Sequence, residues 1–334
     1  MVEALVERGH LVRVLDDLST GRRENLRIAE AEGRVDLTVG SIQDVELLRH
    51  LAAGCRTVYH LAASVGVGAV TLHPLECLHN NVRGFQSLFA ALDGFAGTGG
   101  TEAGALERVV VFSSSEVYGK STAATLGEGD DFVIGPSHVA RWSYAAAKAM
   151  GEFLALASFR ERGVPVTIIR CFNTVGPRQL PTYGMVLPRF VEQARRGEPL
   201  TVYGDGLQTR CFSYVKDVVR GVLDLAAHPG AVGEVFNIGS DEETTVLSLA
   251  ERVRALLGSD SPVRLVPYPE IYGGEFTDIR RRVPNLSKIR ALVSYRPETD
   301  LDGILRATIA SEGLEASAAS DAPSAKFRAA LAQP

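Results

Sequence analysis

The stretch Val109-Val110-Val111-Phe112-Ser113-Ser114-Ser115-Glu116-Val117-Tyr118-Gly119 decides how this chain is read. Four apolar residues read as a buried strand, and a run of hydroxyls and a carboxylate follows at once. Polar groups at the carboxyl end of a parallel strand lie where open α/β sheets bind their ligands. Downstream stands Trp142-Ser143-Tyr144-Ala145-Ala146-Ala147-Lys148. Residues i and i+4 share one helix face, so Tyr144 and Lys148 are neighbours. A lysine there lowers the pKa of a phenol by its positive charge, and a phenolate is a usable base for a hydroxyl. Ser114 can hydrogen-bond that same hydroxyl. A bare Tyr-x-x-x-Lys arises by chance, and an exposed helix face is its plain reading. The serine run gives it weight: together the groups can take an alcohol's proton while a nicotinamide takes its hydride.

Outward from this core, strand-like and helix-like segments alternate. Met1–Gly9 has helical spacing, and strands are expected at Leu11–Leu15, Val35–Val39, Thr57–Leu61, Val109–Phe112 and Val166–Ile169. Helices fit at Gly84–Leu92 and Tyr144–Glu161. Alternation of this kind predicts an α/β fold, a Rossmann-like doubly wound parallel sheet with helices on both faces. After about Cys171 prolines and glycines loosen the pattern. A smaller mixed α/β portion follows, with strands near Leu200–Tyr203 and Val235–Ile238 and an amphipathic helix at Thr245–Leu257. We therefore expect a cofactor domain over 1–172, an interleaved substrate portion over 173–311 and a mobile Ala/Ser/Pro tail over 312–334. Gly94–Gly104 reads as a surface loop.

Composition narrows the class. With 334 residues, 46% of them hydrophobic, and a net charge of −5, the chain gives no reason to expect nucleic acid as a partner. No stretch is apolar enough to span a membrane, and no secretory signal is visible. Cys55, Cys77, Cys171 and Cys211 form no Cys-x-x-Cys pair, so free thiols in a cytoplasmic protein are expected, and no metal.

A dinucleotide-binding sheet normally opens with a strand and a Gly-rich turn that brings backbone to the pyrophosphate. Here Met1–His10 reads instead like the second half of the helix that follows such a turn. Two explanations stand: a start assigned too far downstream, which we favour because everything after it is intact, or a chain without the loop. That first strand belongs in the middle of the sheet, so its loss exposes neighbouring edges. The chain as written is expected to be poorly stable and to bind NAD weakly or not at all. Asp16, at the end of the second strand, is suited to accept hydrogen bonds from an adenosine ribose, which favours NAD over NADP; the plainer reading is that Asp16-Asp17 cap a turn.

Taken together, these residues resemble an extended short-chain dehydrogenase of the nucleotide-sugar epimerase/dehydratase family. The resemblance runs to about Leu305. It rests on Leu15–Gly21, His60-Leu61-Ala62-Ala63, Asn80-Asn81-Val82, Ser113–Gly119, Tyr144 with Lys148, Arg170–Arg178, and Val202-Tyr203-Gly204-Asp205-Gly206 leading to Arg210. It implies Tyr144 as catalytic base, Lys148 on the nicotinamide ribose, and Ser114, with Ser115 beside it, at the sugar 4-hydroxyl. It implies Asp16, Asp17, Ser41, Ile42, Leu61, Ala62, Ala63 and Asn81 around NAD; Ser41 stands where the family usually has Asp. It further implies Asn173, Arg210 and Arg282 on the sugar diphosphate, with Leu187, Arg189, Val202 and Tyr203 in the segments around the nucleotide. Arginine suits phosphate because its planar fork stays charged.

Family members first oxidise C4 of the sugar, and the ketone opens epimerisation, dehydration or decarboxylation. Glu116 discriminates, since a carboxylate two residues after Ser114 is placed for acid/base work at C5 or C6; an exposed strand-end carboxylate is its plain reading. Ser-Glu-Val-Tyr-Gly and Asp278–Asn285 resemble the UDP-glucuronate decarboxylases, although Ala140-Arg141-Trp142-Ser143 departs from their Gly-Pro-Arg run. The expected activity is decarboxylase/dehydratase-type chemistry on a nucleotide sugar, most readily a UDP-sugar. A UDP-sugar 4-epimerase and a non-catalytic sugar-nucleotide binder are the alternatives. The family also implies a homodimer through the helices at Gly84–Leu92 and Tyr144–Glu161.

Overall fold

The computed structural model describes residues 1–93, 95, 106–181, 185–272 and 278–315. The loop expected at Gly94–Gly104, apart from Phe95, and the chain beyond residue 315 lie outside these residues. Helix Leu301–Glu315 runs four residues into the stretch read as a tail.

Twelve strands are present among the described residues: β1 Val12–Asp16, β2 Val35–Val39, β3 Thr57–His60, β4 Arg108–Ser114, β5 Val166–Cys171, β6 Thr174–Val175, β7 Leu200–Tyr203, β8 Thr209–Cys211, β9 Ser213–Tyr214, β10 Glu234–Ile238, β11 Glu243–Thr245 and β12 Val263–Val266. Four of them form a parallel sheet in the order β10-β5-β4-β3. Its strands are apolar runs because both faces are covered. Val109, Val111, Val166 and Ile168 point to one side, against Phe85, Leu88 and Phe89. Val110, Ile169, Phe236 and Ile238 point to the other, against Val218, Val222, Leu225 and Ile289. The two-residue alternation of side chains along a strand produces this division.

Helix Trp142–Arg162 carries Tyr144 and Lys148 across the first of these faces. It stops at Gly163, which is left-handed at φ 71°, after Arg160 and Arg162 in its last turn. Gly151 lets it come close to the helix Gly84–Ala91, since a Cβ there would stand 2.2 Å from the Phe85 ring.

The other half of the sheet is a separate pair. β1 and β2 run parallel, Val12–Asp16 against Val35–Val39, and among the described residues β1 makes no ladder with β3. Helix Val2–Glu7 precedes β1, and among the described residues no strand pairs between β1 and β3. Leu11, Val39 and Leu61 are exposed along this side.

A second core gathers helices Val186–Arg195, Val246–Leu257 and Leu301–Glu315 around β7 and its parallel partner β12. β10, later in the chain than β7, joins the main sheet beside β5.

Candidate active site

β4 ends by tightening into a 3₁₀ turn, Ser115–Tyr118, because the Ser114 hydroxyl accepts the Glu116 N–H at 3.2 Å. The turn closes at Gly119, φ 57°, where a Cβ would lie 2.2 Å from the Val133 carbonyl oxygen. Register places Ser114 opposite Cys171 and Ser113 opposite Arg170. Tyr144 and Lys148 reach this rim from their helix. Lys148 is 3% exposed; its Nζ donates to the Phe112 carbonyl at 2.8 Å and sits 5.9 Å from the centre of the Tyr144 ring.

The electrostatics differ from the sequence expectation in one respect. Burial pushes the Tyr144 phenol above its ordinary range, and the hydrogen bond with Ser114 only partly offsets it. Lys148 directs its hydrogen bond to the β4 backbone, and it is itself desolvated. Burial brings Lys148 down to about 8, with Cys171 and Glu152 acting the other way.

Beside Tyr144 lies a box of charge. Glu116 accepts from Arg282 Nη1 on one oxygen and faces Arg141 Nη2 at 3.5 Å on the other. Asp278 accepts from Arg141 at 2.9 Å, from Arg210 at 3.0 Å and from the Tyr268 hydroxyl at 2.8 Å. Burial works to raise the Glu116 carboxyl, but Arg282, Arg141 and Arg210 outweigh it and hold it down to about 2. Three guanidiniums face two carboxylates, so the box holds one net positive charge and favours an anion.

The expected substrate residues divide by what they touch. Arg210 and Arg282 belong to this box. Asn173 joins it, since its Oδ1 accepts Arg282 Nη2 at 2.9 Å and its Nδ2 donates to the Cys211 carbonyl at 2.9 Å. Arg189 lies 3.9 Å from the centre of the Tyr203 ring and donates to the Thr201 carbonyl at 3.0 Å. Leu187 and Val202 are fully buried in the second core, so they shape this wall from behind.

The expected cofactor residues follow the carboxyl ends of β1, β2 and β3. Asp16 Oδ1 accepts the Leu18 N–H at 2.7 Å, and Asp17 Oδ1 accepts from Ser19. Each carboxylate thus caps its turn and keeps further acceptor capacity, so turn-capping and ribose binding are compatible. Ser41 Oγ accepts the Gln43 N–H at 3.1 Å, with Ile42 half-buried beside it. Leu61, Ala62 and Ala63 follow β3. Asn81 is buried and uses both ends of its amide on the Ser64 backbone, at 2.9 and 3.0 Å, so it holds the loop after β3 in place. Sequence reasoning assigned no role to Arg141, Tyr268 or Asp278. Arg141, three residues before Tyr144, and Asp278, four before Arg282, were legible only as neighbours of residues already singled out.

A hydroxyl, a phenol and an ammonium at the carboxyl ends of parallel strands, with arginines gathered beside them, define an α/β enzyme on a dinucleotide-binding sheet. The chain belongs to the NAD dependent epimerase/dehydratase family, whose model matches residues 1–239. It is 35% identical over 311 residues to a UDP-N-acetyl-alpha-D-glucosaminuronate decarboxylase of Bacillus cytotoxicus, covering 92% of both chains. Among solved structures it resembles a dTDP-glucose 4,6-dehydratase of Streptomyces venezuelae with NAD bound, at 30% identity and TM-score 0.81, over 95% of this chain and 94% of the other. It likewise resembles a UDP-glucose 4-epimerase of Thermotoga maritima, at 26% identity and TM-score 0.82, over 94% of each. NAD is the cofactor of this family, and the donor set fits its two ends: acceptors at Asp16 and Asp17 for a ribose, and an ammonium at Lys148 with only one donor given to Phe112. No helix among the described residues is long and apolar enough to cross a membrane.

Proposed function

We propose that the protein oxidises C4 of a UDP-linked uronic acid and then releases its C6 carboxyl as carbon dioxide. The observation that carries this reading is Glu116, held ionised between Arg282 and Arg141 beside Tyr144. When bound, NAD would supply the hydride chemistry at C4. Tyr144, hydrogen-bonded with Ser114, takes the O4 proton in its ionised form, whose basicity the raised pKa increases, and Lys148 would hold the nicotinamide ribose. Ser115 supports the same turn. In the resulting 4-ketone the carboxylate is β to the carbonyl. The C5–C6 bond breaks with its electron pair passing to C5 and O4, and hydrogen bonds from Ser114 and Tyr144 hold the enolate oxygen. C5 then takes a proton from solvent, and Tyr144 returns its proton to O4 when the ketone is reduced. Arg210, Arg282 and Asn173 hold the diphosphate, and Glu116 serves the C5/C6 step. The net positive box supports an anionic sugar.

The test is incubation with NAD and a panel of UDP-, dTDP- and GDP-sugars, read by mass spectrometry. Loss of carbon dioxide from a UDP-uronate is expected. Loss of water would assign a dehydratase, and an isomer of unchanged mass a 4-epimerase, the reading that the Thermotoga likeness supports. Binding without any product would leave a sugar-nucleotide binder. Glu116→Gln should keep NADH formation and block the later step; unchanged turnover would remove Glu116 from the mechanism.

A homodimer in the cytoplasm completes the proposal. Met150 and Phe153 are 53% and 69% exposed on the outer face of the Tyr144 helix, next to helix Gly84–Ala91, and all four cysteines are free. Phe153→Glu should yield a monomer in light scattering; an unchanged mass would move the interface elsewhere.

A further inference from the structure

Two buried ion-pair systems flank the Tyr144 helix, and they differ in balance. Glu152 meets Arg170 one to one, at 2.7 Å. The box beside Tyr144 carries three guanidiniums on two carboxylates, and Asp278 is its shared post. Asp278 Oδ1 accepts Arg141 Nη1 at 2.9 Å, Arg210 Nη2 at 3.0 Å and the Ile279 N–H at 2.8 Å. Its Oδ2 accepts the Tyr268 hydroxyl at 2.8 Å. Two guanidiniums therefore stand side by side on one carboxylate. Glu116 is held on Oε1 by Arg282, and its Oε2 meets Arg141 Nη2 only at 3.5 Å. Charge-assisted hydrogen bonds run at about 2.7–2.9 Å, so this is the loosest contact of the box. Arg141 thus has one arm anchored on Asp278 and the other lightly engaged. It stands just before helix Trp142–Arg162 with helical dihedral angles, φ −48° and ψ −37°. That places it one turn before Tyr144 on the same helix face.

We propose that Arg141 is the specificity-determining residue of the site: its lightly held arm takes the C6 carboxylate of the sugar, beside Arg210 on the diphosphate. The assignment rests on the reaction read for this site and sets which sugars it takes. In a nucleotide-linked uronic acid, only C5, the ring oxygen, C1 and the glycosidic oxygen separate the carboxyl carbon from the first phosphorus. Two anions that close need two cations held equally close, and Asp278 holds Arg141 and Arg210 in that way. C6 also hangs from the carbon next to C4, whose hydroxyl Tyr144 and Ser114 take, and Arg141 stands one turn from Tyr144. A sugar with a hydroxymethyl group at C6 offers this arm no charge. When Arg141 turns one arm to the ligand, Glu116 keeps Arg282, and Asp278 keeps Arg210, Tyr268 and the Ile279 N–H. No buried carboxylate is stranded, so the exchange avoids the cost of an uncompensated charge. The planar fork fixes the carboxylate in direction as well as in place.

The test reads binding rather than turnover. Calorimetry gives the affinity of the chain for UDP, UDP-glucose and UDP-glucuronate, the last two differing at C6 alone. UDP-glucuronate should bind more tightly than UDP-glucose. Arg141→Met should weaken UDP-glucuronate by about tenfold to a hundredfold, the worth of a hydrogen bond to a charged group, and leave UDP and UDP-glucose nearly unchanged. Arg210→Met removes the same net charge, but it should weaken all three ligands together and keep the ratio of the two sugars. Arg141→Lys keeps the charge without the fork and should retain part of the preference; it replaces Arg141→Met if that variant does not fold. Equal affinity of the chain for the two sugars, or binding of neither, overturns the proposal. So does a uniform loss, or no loss, across the three ligands in the Arg141 variant that folds. A ratio that collapses equally in Arg210→Met would make the preference one of net charge and remove Arg141 from it. The product assay fails separately: an isomer of UDP-glucuronate with the Arg141 effect intact would end the decarboxylation reading and leave this assignment standing, and loss of carbon dioxide without that effect would do the reverse.

Discussion

The two halves of the sheet present opposite solutions to the same requirement. β4 and β5 are covered on both faces, and Val109, Val110, Val111, Val166, Ile168 and Ile169 are fully buried. β1 and β2 stand apart as a pair, and every residue in them is exposed or half-buried. The difference follows from neighbours, because the apolar content is similar: Val12, Val14 and Leu15 are as hydrophobic as Val109–Val111. A strand is buried by what packs beside it, and among the described residues no strand does so between β1 and β3. The half with the complete core also carries Ser114, Tyr144 and Lys148, whereas Asp16 and Ser41 ride on the half that lacks it.

The sharpest way to break this comparison is Arg170→Met. It leaves Glu152 ionised and unpaired in the interior, and removing one partner of a buried pair costs about 3–5 kcal/mol. Next comes a matched pair of truncations. Ile168→Ala in β5 should cost about 2–5 kcal/mol, as for other fully buried aliphatic side chains, and Leu37→Ala in β2 should cost clearly less. Urea unfolding measures both. Equal losses would mean that β1 and β2 are as firmly packed as the main sheet, and the contrast would collapse.

Legibility in the sequence follows the same division. The strand at Val109 announced itself because a parallel strand covered on both faces is a continuous apolar run, and it extends to Ser114 as the polar residues that follow it stay in register with β5. The Tyr144–Lys148 pairing was readable from helical spacing alone. The helix at Val2–Glu7 was readable too. Not readable was the state of the site. Whether Lys148 lowers the phenol depends on where Nζ points, and it points at the Phe112 carbonyl. The arginine box joins residues 116, 141, 210, 278 and 282, and no local pattern links separations of that size. The short strands β6, β8, β9 and β11 were missed for the same reason, since two or three residues carry no periodicity.

Acid titration sharpens the comparison from the site's side. Glu116 has a folded pKa depressed to about 2. Its contribution is therefore fully present above the ordinary glutamate value and is lost as pH falls from there towards 2. The chain should lose stability across that window, and Glu116→Gln should lose less of it. Thermal melts at successive pH values measure this. Parallel curves for the two proteins would mean that Glu116 is not held by its arginines in solution.

The smallest effect is expected where the two halves meet at the surface. Arg178, after β6, donates to both oxygens of Glu3 in the opening helix, at 2.9 and 2.8 Å. The bond to Arg178 lowers the Glu3 pKa, yet both side chains are 42% exposed. Water and salt screen such a pair, and exposed pairs contribute about 0.2–1 kcal/mol in double-mutant cycles. A cycle of Arg178→Ala and Glu3→Ala should therefore return a coupling in that low range, fading as salt is raised from low to high ionic strength. A coupling that is large and indifferent to salt would mean that this contact fastens the opening helix to the chain after β6. The contrast between the β1–β2 half and the packed half would then be one of attachment as well as burial.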